Sequence, residues 1–376
     1  MSIATTEPIA PPGAPAARPP RAWPAILTLL FLAPLTAEVL SGSTPVLAFT
    51  INPIVAFINL PFYGCGALLA REVARRRGLG WGGVLWLGAA YGIFEEGVVL
   101  NTWADPWASV VCTIVRGAPT GLCDYSRVGG INLLWALNLT IYHAVISITI
   151  PILLVSLLFP ARDARPAWLG RKAIIACVAS ELIILVLGLI LNFADFRQHG
   201  QPGPLPLPYL IELALMAGCV ALALLLRARP TRPASAPYPA RSTRPLPGLW
   251  RLRFFAFVAV ALTILSPSVY QAAHAPYQLA LAINATLLAL AVWRVWAWSR
   301  RADWNAHHLL ALASGALGFF IVFWAPLLEI LGTAGGKPEH GTGVVALAYL
   351  LFLIALTRHT NRRLRRAEEA ETPALA

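Results

Sequence analysis

AIIACVASELIILVLGLILNF, residues 173–193, holds one ionisable side chain, Glu181, in an otherwise unbroken apolar run. As a helix rising about 1.5 Å per residue it reaches about 30 Å, the thickness of a bilayer's hydrocarbon core. The apolar residues are continuous rather than alternating, which argues against a barrel strand. In lipid only helices and closed barrels satisfy every backbone N–H and C=O, so a membrane-spanning helix is expected here.

Similar runs recur outward along the chain, at 23–40, 51–70, 81–100, 131–159, 208–226, 254–270, 278–298, 309–331 and 343–357. The expected fold is therefore all-α, a polytopic transmembrane helix bundle of about ten spans. The run at 131–159 exceeds what a span needs, so it tilts or begins outside the hydrocarbon. Composition agrees: 58% of residues are hydrophobic and 12% charged, against about 25% charged in soluble domains. Residues 1–22 are Pro/Ala-rich and are expected to form a disordered tail ahead of an uncleaved first span. Residues 23–226 carry spans one to six, 227–253 form a basic, Pro-rich linker, 254–357 carry spans seven to ten, and 358–376 form a basic and acidic tail.

Loop charge sets the expected orientation. With the N-terminus inside, inside segments hold Arg71, Arg75, Arg76 and Arg77, then Arg162, Arg165, Arg171 and Lys172, the linker arginines, Arg300 and Arg301, and the arginines of 358–366. Outside segments hold only Arg116, Arg127, Arg197 and Lys337. Cytoplasmic loops concentrate Lys and Arg, so both termini are expected inside a cell (inner/plasma) membrane. The same distribution accounts for the net charge of +12 without nucleic acid, since no basic domain interleaved with aromatic residues occurs. The lipid bilayer is the expected partner. The residues specify no cofactor, metal, substrate or oligomeric state.

Ionisable groups inside apolar spans are candidates for function because burying a charge there costs several kcal/mol. Glu38 lies 15 residues beyond Trp23, Glu95 lies 14 beyond Trp81, His143 lies 16 before Phe159 and Glu212 lies 14 before Leu226. The helical rise puts all four about 21–24 Å from the inner side. Glu181 lies deeper and Glu329 near the outer surface. Glu95, Glu96 and His143 are the expected catalytic or proton-carrying groups, because paired carboxylates in low dielectric rarely both ionise. Glu38, Asn138, Tyr142, Ser147 and Glu212 are the expected pocket lining. His143 and Ser147 share a helix face at i, i+4, as do Asn138 and Tyr142. Gly88 and Gly92 form a GxxxG step that admits a close helix neighbour. Cys65, Cys177 and Cys219 lie in apolar runs and read as small buried hydrophobes. Cys112 and Cys123 share the outer loop 101–130, where an oxidising compartment permits a disulfide. That loop joins the spans of Glu96 and Asn138 and is placed to act as a lid.

Glu95-Glu96 and His143 resemble the CPBP family, the CAAX-processing and bacteriocin-processing intramembrane proteases, with motifs EExxxR, FxxxH and HxxxN. Leu100 stands at the arginine position and Leu139 at the phenylalanine position, and no HxxxN motif follows. The resemblance implies a glutamate-activated water and a histidine that stabilises the oxyanion. Over 38–160, AYGIFEEG (90–97) and LTIYHAVISITIPILLVSLLFP (139–160) also resemble an uncharacterised group of bacterial multipass membrane proteins. Three functions follow as expectations: a carrier of small or lipid-like molecules, a CPBP-like hydrolase, or a non-catalytic assembly or sensing protein. ATP-binding and redox-centre motifs do not occur in the sequence.

Overall fold

The computed structural model describes residues 22–107, 125–163, 167–226, 245–301, 303–334, 337–338 and 340–371. All ten expected runs are helical. They are α1 (Trp23–Val39), α2 (Pro53–Arg76), α3 (Trp81–Gly92 continued by Ile93–Val99), α4 (Leu133–Leu158) and α5 (Arg171–Gln198). Then come α6 (Pro206–Leu225), α7 (Leu249–Ala272), α8 (Tyr277–Ser299), α9 (Ala306–Leu331) and α10 (Thr342–Glu371). Among the described residues, eight helices are long and apolar enough to cross a membrane. The chain is thus an all-α polytopic membrane protein. Most of the linker 227–253 lies outside the described residues, and α7 begins within its last part, at Leu249.

α4 is the most buried of the eight spans. The peripheral helices turn only one stripe inward. On α5 the buried residues include Cys177, Glu181, Ile184 and Gly188, and on α6 Pro208, Glu212, Cys219 and Ala223. That spacing is one helix face. The rest of α5 exposes Ile183, Ile190 and Leu191, an apolar surface suited to lipid. The buried polar residues Glu181 and Glu212 thus sit on the stripe that faces protein, as Asn284 does on the largely exposed α8.

Glycines set the closest approaches. A Cβ on Gly88 would lie 2.9 Å from the Ala144 backbone, and one on Gly92 would lie 2.7 Å from His143 Cβ. The GxxxG step thus packs α3 against the part of α4 that carries His143. A Cβ on Gly315 of α9 would lie 2.2 Å from the backbone oxygen of Arg253 on α7. Gly315→Ala is expected to push α7 and α9 apart and cost about 1–3 kcal/mol, read as a lower melting temperature in detergent.

Four helices carry a turn of π-helix: Leu35–Val39 in α1, Ile93–Val99 in α3, His143–Thr149 in α4 and Phe320–Trp324 in α9. A proline borders three of them, Pro34, Pro151 and Pro326. Proline has no N–H and cannot continue the i→i−4 ladder, so the register of the ladder shifts there. Pro34 leaves the Leu30 carbonyl without its usual helical donor. Gly64 of α2 packs on that carbonyl, where a Cβ would come within 2.6 Å.

The C-terminal ends of α2 and α4 are joined by an ion network. Arg71 is 1% exposed, lies 3.3 Å over the Trp168 ring and donates to Asp163 at 3.4 Å. Asp163 also accepts from Arg75 and, at 3.0 Å, from Ser156. Glu72 accepts from Arg76 at 2.8 Å and from the Trp168 backbone N–H at 3.0 Å. Sequence reading treats Arg71, Arg75 and Arg76 as orientation signals. Here they also fasten the segment after α4 onto α2.

Candidate functional site

Three of the π turns meet at one place and supply its ionisable groups: Glu38 from α1, Glu95 and Glu96 from α3, and His143 and Ser147 from α4. Glu95 is 0%, His143 1% and Ser147 0% exposed. His143 Nδ1 lies 3.0 Å from Glu95 Oε2, and Nε2 lies 3.2 Å from Glu96 Oε1. Ser147 Oγ is also 3.0 Å from Nδ1. The wider π turn puts adjacent Glu95 and Glu96 on opposite edges of one imidazole.

Tyr63 of α2 completes the array, and sequence reading misses it. Its hydroxyl lies 2.5 Å from Glu38 Oε1 and also contacts Glu95 Oε1. Thr44 donates to Glu38 Oε2 at 2.6 Å, and Thr102 donates to Glu96 Oε2 at 2.5 Å. One line of contacts therefore runs Thr44–Glu38–Tyr63–Glu95–His143–Glu96–Thr102. Tyr63 lies in Pro61-Phe62-Tyr63-Gly64-Cys65-Gly66. A Cβ on Gly66 would lie 2.2 Å from the Tyr91 ring, so this stretch meets α1 at Gly64 and α3 at Gly66. A tyrosine followed by Gly64 and Gly66 in a span was the available signal.

The other expected lining residues divide. Tyr142 is buried, bonds to the Ala37 carbonyl and presents its ring edge to His143 with centroids 5.0 Å apart. Asn138 instead accepts from Asn284 at 3.4 Å, and Asn284 bonds Ser266 at 3.1 Å, which ties α4 to α7 and α8. Glu212 is fully buried against Gly97, on a neighbouring part of the same π turn, and has no hydrogen bond to the array. Glu181 is buried on α5, and Glu329 caps α10 by accepting from the backbone N–H groups of Gly341 at 2.8 Å and Gly343 at 3.2 Å.

Cys112 and Cys123 lie outside the described residues. The two ends of their loop cover the C-terminal end of α3. Trp103 is 2% exposed, its carbonyl accepts from Asn132 N–H at 2.8 Å, and Arg127 donates to the Ala104 carbonyl at 3.0 Å. The strands β1 (Arg127–Val128) and β2 (Ile131–Asn132) pair across Gly129-Gly130, at φ 60° and 89°. Two consecutive positive φ values favour glycine at both positions of such a two-residue turn. Asp105 lies in this cap, and burial holds its carboxyl above the usual range against the pull of the Trp107 N–H.

The array has more acceptors than protons. Glu38–Tyr63, Tyr63–Glu95, Glu95–His143 and His143–Glu96 each call for one shared proton. Tyr63 supplies one and a neutral imidazole supplies one. Filling the two remaining contacts requires two further protons, from an imidazolium plus one protonated carboxyl or from two protonated carboxyls.

Ligand atoms of Glu95, Glu96 and His143 lie within 4.8 Å of one another, the only such set among the described residues. The donor types suit zinc or a comparable divalent ion. Both ring nitrogens of His143 already contact protein groups, so a metal bound there would displace one of those contacts. His199 and His308, by contrast, stack on Trp107 and Trp304.

No curated protein and no solved structure matches the chain. A family model matches residues 27–374, nearly the whole length, and the chain therefore belongs to an uncharacterized membrane protein family.

Proposed function

We propose that the protein is a proton-coupled carrier of a small or lipid-like molecule, oriented with both termini inside the cell (inner/plasma) membrane. Glu95, His143 and Glu96 hold and release the coupling protons, and Glu38 and Tyr63 extend the array. The observation that supports this most is the pairing of the two His143 nitrogens with two carboxylates while Tyr63 spans a third. Proton-exchanging groups in transporters are found as such interior chains of acids and histidines. The π turns support the reading as well, because they recur at functional positions and can shift a helix by one residue. Orientation rests on the loop arginines.

The test is uptake of pooled small molecules into proteoliposomes under an imposed pH gradient, read by mass spectrometry. Glu95→Gln and Glu96→Gln keep the shape of each side chain and remove its proton chemistry. Each is expected to lower gradient-driven uptake by at least about tenfold, equivalent to about 1.4 kcal/mol, with folded protein still accumulating. If both variants transport normally, the carrier reading fails. If both merely melt earlier and wild-type protein moves nothing, the cluster belongs to a non-catalytic assembly or sensing protein.

A CPBP-like hydrolase is the second reading. It is favoured by the convergence of Glu95, Glu96 and His143, the three residues that carry the resemblance. It requires peptide cleavage by wild-type protein that both glutamine variants abolish.

A further inference from the structure

Glu212, like Glu181 on α5, is a buried carboxylate outside the proton array. It is 0% exposed, and neither oxygen has a hydrogen-bond partner. Its carboxyl group fills the space that Gly97 leaves: a Cβ there would lie 3.0 Å from Glu212 Cδ and 3.3 Å from Oε2. Gly97 follows Glu96 directly on the π turn of α3. Protonation alone would not satisfy this group, because a neutral carboxyl still has an acceptor and an O–H without partners, at a cost of order 2 kcal/mol or more. A positive charge delivered by a ligand would satisfy both oxygens.

Oxygen-bearing groups cluster around this part of α3. Asn192 Nδ2 donates to the Val99 carbonyl at 3.0 Å and contacts the Tyr209 hydroxyl at 3.4 Å. Tyr209 is one helical turn before Glu212. Gly188 of α5 packs on the Val99 carbonyl, where a Cβ would lie 2.5 Å away. Beside the Glu212 carboxylate this neighbourhood holds the Tyr209 hydroxyl and the Val99 carbonyl, which already accepts from Asn192. Those are the ligands that hard monovalent cations and ammonium groups accept.

We propose that Glu212 binds a small monovalent cation, either an alkali ion or the ammonium group of an amine, and that this cation is the species exchanged against the protons of the adjacent array. The substrate class rests on the carrier reading, but the binding site does not. Glu96 lies on the π turn that Glu212 packs against, one residue before Gly97. The array supplies protons and Glu212 supplies the site for the competing charge.

The experiment is thermal unfolding of detergent-solubilised protein in sodium chloride, potassium chloride or methylammonium chloride, with choline chloride at equal ionic strength as reference. Wild-type protein is expected to melt about 3 °C higher in at least one test salt than in choline. An alkali response with no methylammonium response identifies an inorganic ion, and the reverse identifies an amine. Glu212→Gln is expected to lose the response, and Glu95→Gln, which tests the proton array, is expected to keep it. Wild type with no response to any test salt overturns the proposal, as does an equal response in Glu212→Gln. If Glu212→Gln does not accumulate, labelling of wild-type Glu212 by a hydrophobic carbodiimide, read by peptide mass spectrometry, takes its place. Protection by the responding cation supports the site, and labelling unchanged by any cation overturns it. Loss of uptake in Glu95→Gln with cation binding intact leaves both readings standing. Normal uptake in that variant removes the carrier reading alone.

Discussion

His143→Ala should be the most damaging single change in the array, lowering stability by about 3–5 kcal/mol and abolishing pH-gradient-driven uptake. The imidazole stands between Glu95 Oε2 and Glu96 Oε1 at 3.0 and 3.2 Å. Removing it brings two carboxylates together across a cavity without the group that shares protons between them. Breaking one side of a buried charged pair costs more than the pair contributes, because the remaining charge is left without compensation. His143→Gln separates the two consequences. Its amide can donate to one carboxylate and fill much of the volume, so part of the melting temperature should return. It cannot gain or lose a proton, so uptake should not return. A His143→Gln protein with wild-type transport would show that the ring only holds the helices together.

Asp163→Ala should have an effect of similar size at the other end of the bundle. Asp163 accepts from Arg71, Arg75 and Ser156. Arg71 is held under Trp168 at 1% exposure, out of reach of water that could take over the role of the carboxylate. The expected loss is again about 3–5 kcal/mol. Hydrogen exchange gives a local readout. The N–H groups of Trp168 and Leu169 are held by Glu72, and they should exchange faster when the segment after α4 loosens. Unchanged exchange at 168–169 with unchanged melting would show that Arg71 finds other compensation. Under the carrier reading the position matters because a carrier needs one end closed while the other opens, and this network joins α2 to α4 near the C-terminal ends of both helices.

The helices were legible in the sequence because lipid imposes length and continuity on every span, and each of the ten apolar runs is helical. Much of the site was legible for the same reason. An ionisable residue in a span cannot face hydrocarbon, so Glu38, Glu95 and His143 had to turn inward, and equal depth put them within reach of one another. Glu212 obeys the first rule without joining the array, because depth fixes height and not azimuth. Asn138 fails for a related reason. It shares a face with Tyr142 but lies more than a helical turn before His143, at a level where α4 meets α7 and α8 and its side chain accepts from Asn284. Tyr63 was missed because a tyrosine in a span resembles an ordinary aromatic. Its role depends on two acidic neighbours from helices that are far apart in sequence. The Arg71 network was hidden behind a charge pattern that orientation alone explained.

A π turn holds one residue more than the α turn it replaces. Everything beyond it is rotated by about 100° relative to an uninterrupted helix. In α1, α3 and α4 that surplus residue lies at the level of the array. If the surplus migrated by one position along α3, the acid it passed would turn by about 100°, to near the azimuth its neighbour holds now, while the helix ends stayed where they are. Winding itself then provides a way to re-aim an acid without tilting the bundle.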